Sequence, residues 1–158
     1  MTFQDVGQTS NLLNLNFKCF NGAEGMLVVS TTSDVQSVVR KLERCFDFPH
    51  ASVELRIQGV TLDLRRDVLS YDIGSDTCID VQPVDHDVYV QRNDQLHGIR
   101  TSLHFTTGRE FRQMAYFQIS PQAKCHYFQG LIPLIASDTL WSQGIRPGST
   151  LRAIPAPV

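Results

Sequence analysis

Long apolar runs, paired cysteines and a charge excess of either sign are all missing from this 158-residue chain, and each absence removes a class of function. No apolar stretch approaches the ~20 residues that cross a bilayer as a helix, and Met1 to Ser10 lacks the basic and apolar regions of a signal peptide. No membrane partner is expected, and the cytoplasm is the expected location. A formal net charge of −2 offers no global field to draw nucleic acid or anionic lipid. The four cysteines (Cys19, Cys45, Cys78, Cys125) stand singly, with no C-x-x-C pair and no histidine at ligand spacing. Neither a zinc site nor a disulfide framework is indicated.

Convergent catalytic groups are missing too. Cys125 and His126 are neighbours, so on a strand they point to opposite faces and cannot work as nucleophile and base. His50, His86, His97 and His104 have no partner at useful spacing. Gly108 stands alone before Arg109, without the Gly-rich cradle and Gly-Lys-Ser/Thr ending of a phosphate loop. No catalytic residue, metal ligand or cofactor is expected, and the chain reads as a non-enzyme.

What is present is periodicity, in two rounds. Leu12 to Phe20 and Met26 to Ser30 flank a turn at Asn21 to Gly25, which reads as a β-hairpin. Leu13, Leu15 and Phe17 alternate with Asn14, Asn16 and Lys18, placing one face inward and the other in water. The period then changes: Ser33 or Asp34 can cap a helix in which Val35, Val38 or Val39, and Leu42 recur at helical spacing, ending near Cys45. After Phe48-Pro49 the period returns to two at Val53, Leu55 and Ile57. Gly59 opens a turn before Val60 to Leu62, Asp67 to Ile73 reads as a helical turn, and Thr77 to Gln82 as a last strand.

Pro83 to His86 is too short for a free tether, and a second round follows. Val88 and Val90 alternate with Tyr89 and Gln91, Asn93 to Gly98 reads as a turn, and Leu103 and Phe105 as inward residues of the next strand. Thr106 or Thr107 can cap a helix through Gln118 whose Phe111, Met114 and Phe117 or Gln118 lie near one face. His126 to Gly130 reads as a strand and turn, Leu131 to Ile135 as a short strand, Asp138 to Ile145 as a helical turn, and Thr150 to Ile154 as the last strand.

In order and register the first round resembles ubiquitin. Its inward residues, from Leu13 through Val81, fall on ubiquitin's core positions without a gap. Phe48-Pro49 resembles the Ile-Pro after ubiquitin's helix, and Leu69 to Ile73 its Ser-Asp-Tyr-Asn-Ile turn. In the second round Pro121 takes the post-helix proline position, and Ser149-Thr150-Leu151 reproduces the Ser-Thr-Leu of ubiquitin's last strand. That match asks for a longer first hairpin, a shorter helix and about one extra residue near Pro133. The resemblance implies an α+β fold of two tandem ubiquitin-like β-grasp domains, each ββαββ with a late helical turn and a final strand. They are expected at residues 11–83 and 87–158, with a linker at 84–86.

Ubiquitin is gripped through an apolar patch on the outer side of its sheet, so the resemblance points to that face. In the first domain its central isoleucine falls at Arg56 and its last-strand neighbours at Asp80 and Gln82, leaving only Phe20 apolar at the hairpin tip. Receptors for ubiquitin's patch are not expected to bind there, since they would bury Arg56 and Asp80 unpaired. In the second domain the expected partner-binding residues are Tyr89, Tyr127, Arg152 and Ile154, an aromatic and arginine mixture typical of binding hot spots. The alternatives are a register shifted by one, which turns these residues to the core, or packing on the first domain. Trp141 reads as a core or junction residue against a hot spot.

The tandem arrangement is similar to the interferon-induced tandem modifier of vertebrates and to the tandem modifier of bacterial Bil antiphage operons. That likeness implies an E1-like activating enzyme, an E2-like conjugating enzyme, a deconjugating protease and target proteins as partners, in an antiviral setting. The conjugation tail would be Pro155, Ala156, Pro157 and Val158, with a glycine expected after Val158, because an unhindered terminus threads narrow clefts. The alternative is a non-covalent tandem ubiquitin-like binding module or scaffold.

Overall fold

A computed structural model of the chain describes residues 11–74, 76–119 and 124–156. The chain divides between Pro83 and Val84 into two compact units, each a five-stranded mixed sheet crossed by one helix. The first runs β1 (Leu12–Cys19), β2 (Glu24–Ser30), α1 (Val35–Cys45), β3 (Val53–Ile57), β4 (Val60–Thr61), a 3-10 turn (Val68–Ser70) and β5 (Cys78–Pro83). The second runs β6 (His86–Arg92), β7 (Gln95–Thr101), α2 (Gly108–Ile119), β8 (Cys125–Gln129), β9 (Ile132–Pro133), a 3-10 turn (Trp141–Gln143) and β10 (Thr150–Pro155).

The strand orders, β2-β1-β5-β3-β4 and β7-β6-β10-β8-β9, are the same order stated twice. In each sheet the first and last strands lie side by side in parallel, Phe17 opposite Ile79 and Val90 opposite Leu151, while every other pairing is antiparallel. A parallel central pair needs a crossover between them, and the helix supplies it. This is the ubiquitin-like β-grasp topology, and the chain contains it in tandem.

Each core is made by the inward set of the sheet and one stripe of the helix. In the first unit Leu15, Phe17, Val29, Val53, Leu55, Ile79 and Val81 meet Val35, Val38 and Leu42, all buried, while Leu13, Leu27, Ile57 and Ile73 are half-buried. Helix α1 starts where Asp34 accepts a hydrogen bond from Ser37 N at 2.8 Å, closing one of the orphan donors of the first turn. Glu43 on its inner side is only 4% exposed, yet its carboxylate is not stranded. It accepts from the backbone N–H groups of Ala51, Ser52 and Val53, tying the post-helix loop to the start of β3.

In the second unit Val88, Val90, Ile99, Phe111, Ala115, Leu140, Ile145 and Leu151 form the equivalent core. Helix α2 opens on a reciprocal capping box: Thr107 Oγ1 accepts from Glu110 N while Glu110 Oε1 accepts from Thr107 N at 3.0 Å. Gly108 next to it fits a space no side chain could enter, because a Cβ there would lie 2.1 Å from the Ile135 carbonyl oxygen. The glycine beside Arg109 is thus explained by packing.

Several second-unit boundaries differ from the sequence reading. The turn is only Asn93-Asp94, and Asn93 takes a left-handed φ of 55° there. Strand β7 therefore begins at Gln95, and Leu103 is buried just beyond its end. Phe117 is 73% exposed, and Ala115 takes the inward position instead. Trp141 packs on the second unit's core, with His104 stacked at 4.2 Å and the Arg146 guanidinium 3.7 Å from its ring centre. Pro121 lies outside the described residues.

Candidate protein-docking face

The solvent side of each sheet is laid out by its cross-strand register, so equivalent positions in the two units can be compared directly. In the first unit one row runs Glu24, Lys18, Asp80, Arg56, Thr61 across β2, β1, β5, β3 and β4. Its charges alternate in sign, the favourable arrangement for directly opposed strand positions. Arg56 Nε is paired to Glu54 at 3.0 Å, and Glu54 also accepts from Thr61 Oγ1 at 2.7 Å. The centre of this face is polar, and Glu54 holds both Arg56 and Thr61.

Apolar groups on the first unit's outer side sit elsewhere than expected. Leu12, Met26 and Val28 are exposed at the β1–β2 edge, opposite Ser30, Asn16 and Asn14. Phe20 is half-buried, its ring 5.6 Å from that of Phe48. The expectation that Phe20 alone stays apolar is therefore corrected: it leans on the post-helix loop, and the exposed apolar groups lie on β1 and β2.

The equivalent row of the second unit runs Leu96, Gln91, Arg152, Phe128, Pro133. Phe128 takes the place of Arg56, Arg152 that of Asp80, and Ile154 that of Gln82. Arg152 is exposed and donates from Nη2 toward Gly130 O at 3.5 Å, which swings its guanidinium along the β8–β9 turn. Leu131, at 88% exposure, projects from that turn. Gln91, Phe128, Gly130, Leu131, Thr150 and Arg152 line a shallow groove of about 290 Å³.

Of the residues expected on this face, Arg152 and Ile154 are there and exposed. Tyr89 is there too, half-buried, opposite Thr150 and Gly98. Tyr127 is not. It is only 6% exposed and points into the core, where its ring meets Phe111 edge-on at 6.1 Å. Burial pushes its phenol above the ordinary tyrosine value, reinforced by Cys125 and opposed by Arg92 and Arg112.

On β8 the register shifted by one, the alternative the sequence left open, holds, and for a definite reason. Both units carry Gln-Gly near the β-hairpin, but Gln58 and Gly59 are the two turn residues of the first, whereas Gln129 is the last residue of β8 and the second turn is Gly130-Leu131. Aligning the dipeptides shifts the strand by one residue, and a one-residue shift reverses every side chain. The true equivalence is shown by Leu62 N donating to Leu55 O and Leu134 N to Tyr127 O, both at 2.9 Å. The hairpins then match residue for residue, and the extra residue expected near Pro133 is not needed. Phe128, Leu131 and Ile132 were missed; the mirrored register of the two turns was the signal.

The tail continues the sheet. Pro155 ends β10, and Ala156 N donates to Lys124 O at 2.8 Å. Pro157 and Val158 lie outside the described residues. Cys125 and His126 diverge as expected, one half-buried and the other exposed. Among the described residues, no cluster of His, Cys, Asp and Glu is arranged to hold a metal, and no helix is long and apolar enough to cross a membrane.

No known protein family matches the sequence, and no curated protein matches it. Among solved structures, the chain is similar to a computationally designed protein based on human erythrocytic ubiquitin, at 20% identity. That match covers 45% of this chain and 90% of the other, with a TM-score of 0.41. It is also similar to the UBL domain of Plasmodium falciparum Dsk2 at 15% identity, covering 46% and 99%, with a TM-score of 0.43.

Proposed function

We propose that this chain is a ubiquitin-like protein modifier whose second unit makes the contacts that carry it through conjugation. In this reading an E1-like enzyme activates its terminus, E2-like machinery transfers it to target proteins, and a deconjugating protease removes it. The setting suggested by the tandem resemblance is cytoplasmic antiviral, including antiphage, defence. The observation that carries the proposal is the exchange of Arg56, Asp80 and Gln82 for Phe128, Arg152 and Ile154 at equivalent sheet positions. One face is charged, with Arg56 and Thr61 already held by Glu54; the other offers an aromatic anchor, an arginine and aliphatic groups. Strand β10 pairs out to Pro155, the first residue of the expected conjugation tail Pro155, Ala156, Pro157 and Val158.

The test has two parts. The gene is read past the codon for Val158 for a terminal glycine, and the complete chain is incubated with its activating enzyme and ATP. A thioester released by reducing agent supports the modifier. Its absence, with a natural stop at Val158, favours the second reading, a non-covalent binding module. The same outer face of the second unit supports that reading, because a hot-spot patch docks a partner without covalent attachment.

A further inference from the structure

A cleft lies away from the sheet's outer face, between α2 and the start of β8. There Arg109, Arg112, Tyr116 and Phe117 of the helix face Lys124 and Tyr127 across a cleft of about 440 Å³. Arg109, Arg112 and Tyr116 recur at i, i+3 and i+7 and so form one stripe. That stripe rises about 10 Å, the length of about three residues of extended peptide.

The electrostatics are one-sided. Among the described residues three cations line the cleft and no carboxylate does. Glu110, the one acid of α2, is turned to the helix start, where Thr107 occupies it. Among the described residues no carboxylate lies within ion-pair distance of Arg109 or Arg112. Two like charges one turn apart on a helix repel each other, so an anionic ligand would relieve a cost the free protein carries. Beside them Tyr116 and Phe117 meet edge-on at 5.4 Å, with Phe117 73% exposed. An aromatic pair presented to solvent next to free guanidinium groups is the composition of a binding site.

We propose that this cleft docks a short extended peptide carrying two or three carboxylates beside an aromatic or aliphatic side chain. The cations hold the carboxylates, and the Tyr116–Phe117 pair receives the apolar group. A polynucleotide fits less well: three cations neutralise at most about three phosphates, on a chain whose net charge is −2. The proposal does not rest on conjugation, and peptide binding by a chain that forms no thioester leaves it standing.

The test is fluorescence anisotropy of a fluorescein-labelled Asp-Glu-Phe-Glu-Asp peptide with the full chain, alongside its Asn-Gln-Phe-Gln-Asn isostere and a short thymidine oligonucleotide. The acidic peptide is expected to bind at least about tenfold more tightly than the isostere, and less tightly as salt is raised. Arg109→Gln with Arg112→Gln should weaken it about tenfold, Phe117→Ala severalfold, and Arg56→Gln in the first unit, which also removes a positive charge, not at all. Neutral glutamines suit a helix, and unchanged Trp141 emission confirms folding. No binding of the acidic peptide, equal binding of the isostere, binding that survives loss of both arginines, or displacement of the peptide by the oligonucleotide at equal concentration would each overturn the proposal.

Discussion

Phe128 on β8 stands directly across from Arg152 on β10, as Arg56 on β3 stands across from Asp80 on β5. The same fold position is thus an aromatic and arginine pair in one unit and an ion-bearing row in the other. Two copies with equivalent cores present different chemistry on their outer faces.

Adjacent residues on β8 should separate stability from docking. Tyr127→Ala opens a core cavity beside Phe111 and is expected to cost about 3 kcal/mol or more. Phe128→Glu changes the solvent face and should stay within about 0.5–1 kcal/mol. Denaturant unfolding followed by Trp141, the only tryptophan, measures both in the second unit. Equal losses would mean that Phe128 also belongs to the core.

Tyr127 also predicts an alkaline signature. Its phenol is raised by burial, so it stays neutral in the fold at a pH where the unfolded chain ionises. A raised value contributes no penalty below the unfolded tyrosine range, and stability is lost as pH rises through and beyond that range. Ultraviolet titration should show one of the four tyrosines ionising late, and Tyr127→Phe should remove that phase.

Asp34 predicts the opposite direction. Hydrogen bonds from Ser37, its side chain first and then its backbone, hold the Asp34 carboxyl below the ordinary aspartate range. Its contribution is present above the unfolded value and is lost as pH falls through the folded one. Asp34→Asn keeps a good cap while removing the charge. The variant should resist denaturant nearly as well as the wild type near neutral pH and show less loss in acid. Circular dichroism of denaturant series at the two pH values reads this.

Two internal ties should be costly to cut. Glu43→Ala removes the acceptor of the Val53 N–H and leaves Ser52 N only its longer 3.3 Å bond to Pro49 O, an expected loss of about 1–2 kcal/mol. Gly108→Ala drives a methyl into the Ile135 carbonyl and should cost about 2–3 kcal/mol in the second unit, although alanine is the better helix former. Both are measured by chemical denaturation, and a stabilised Gly108→Ala variant would show that the Ile135 loop yields freely.

Much of this fold is legible in the residues. Leu15, Phe17, Val35, Val38 and Leu42 announce strand and helix by period alone, and all are buried. The helix caps were readable to within one residue, as Ser33 or Asp34 and Thr106 or Thr107, because short polar side chains before an apolar periodic run have few other uses, and the structure uses Asp34 and Thr107. The outer face was harder. Cys125 to Gln129 has aromatic residues at both Tyr127 and Phe128, so alternation cannot say which points inward, and the choice depends on hydrogen bonds from residues in another strand. The α2–β8 cleft was less legible still, since Arg109 and Lys124 meet only through the fold.

The most direct test of the account compares Phe128→Glu with Arg56→Glu, each in the complete chain, for ATP-dependent thioester formation with the activating enzyme. A hot-spot aromatic should contribute about 2 kcal/mol or more, so Phe128→Glu is expected to slow transfer about thirtyfold. Arg56→Glu should leave the rate unchanged. A thioester formed equally well by wild type and Phe128→Glu, or lost only in Arg56→Glu, would contradict the assignment of docking to the second unit.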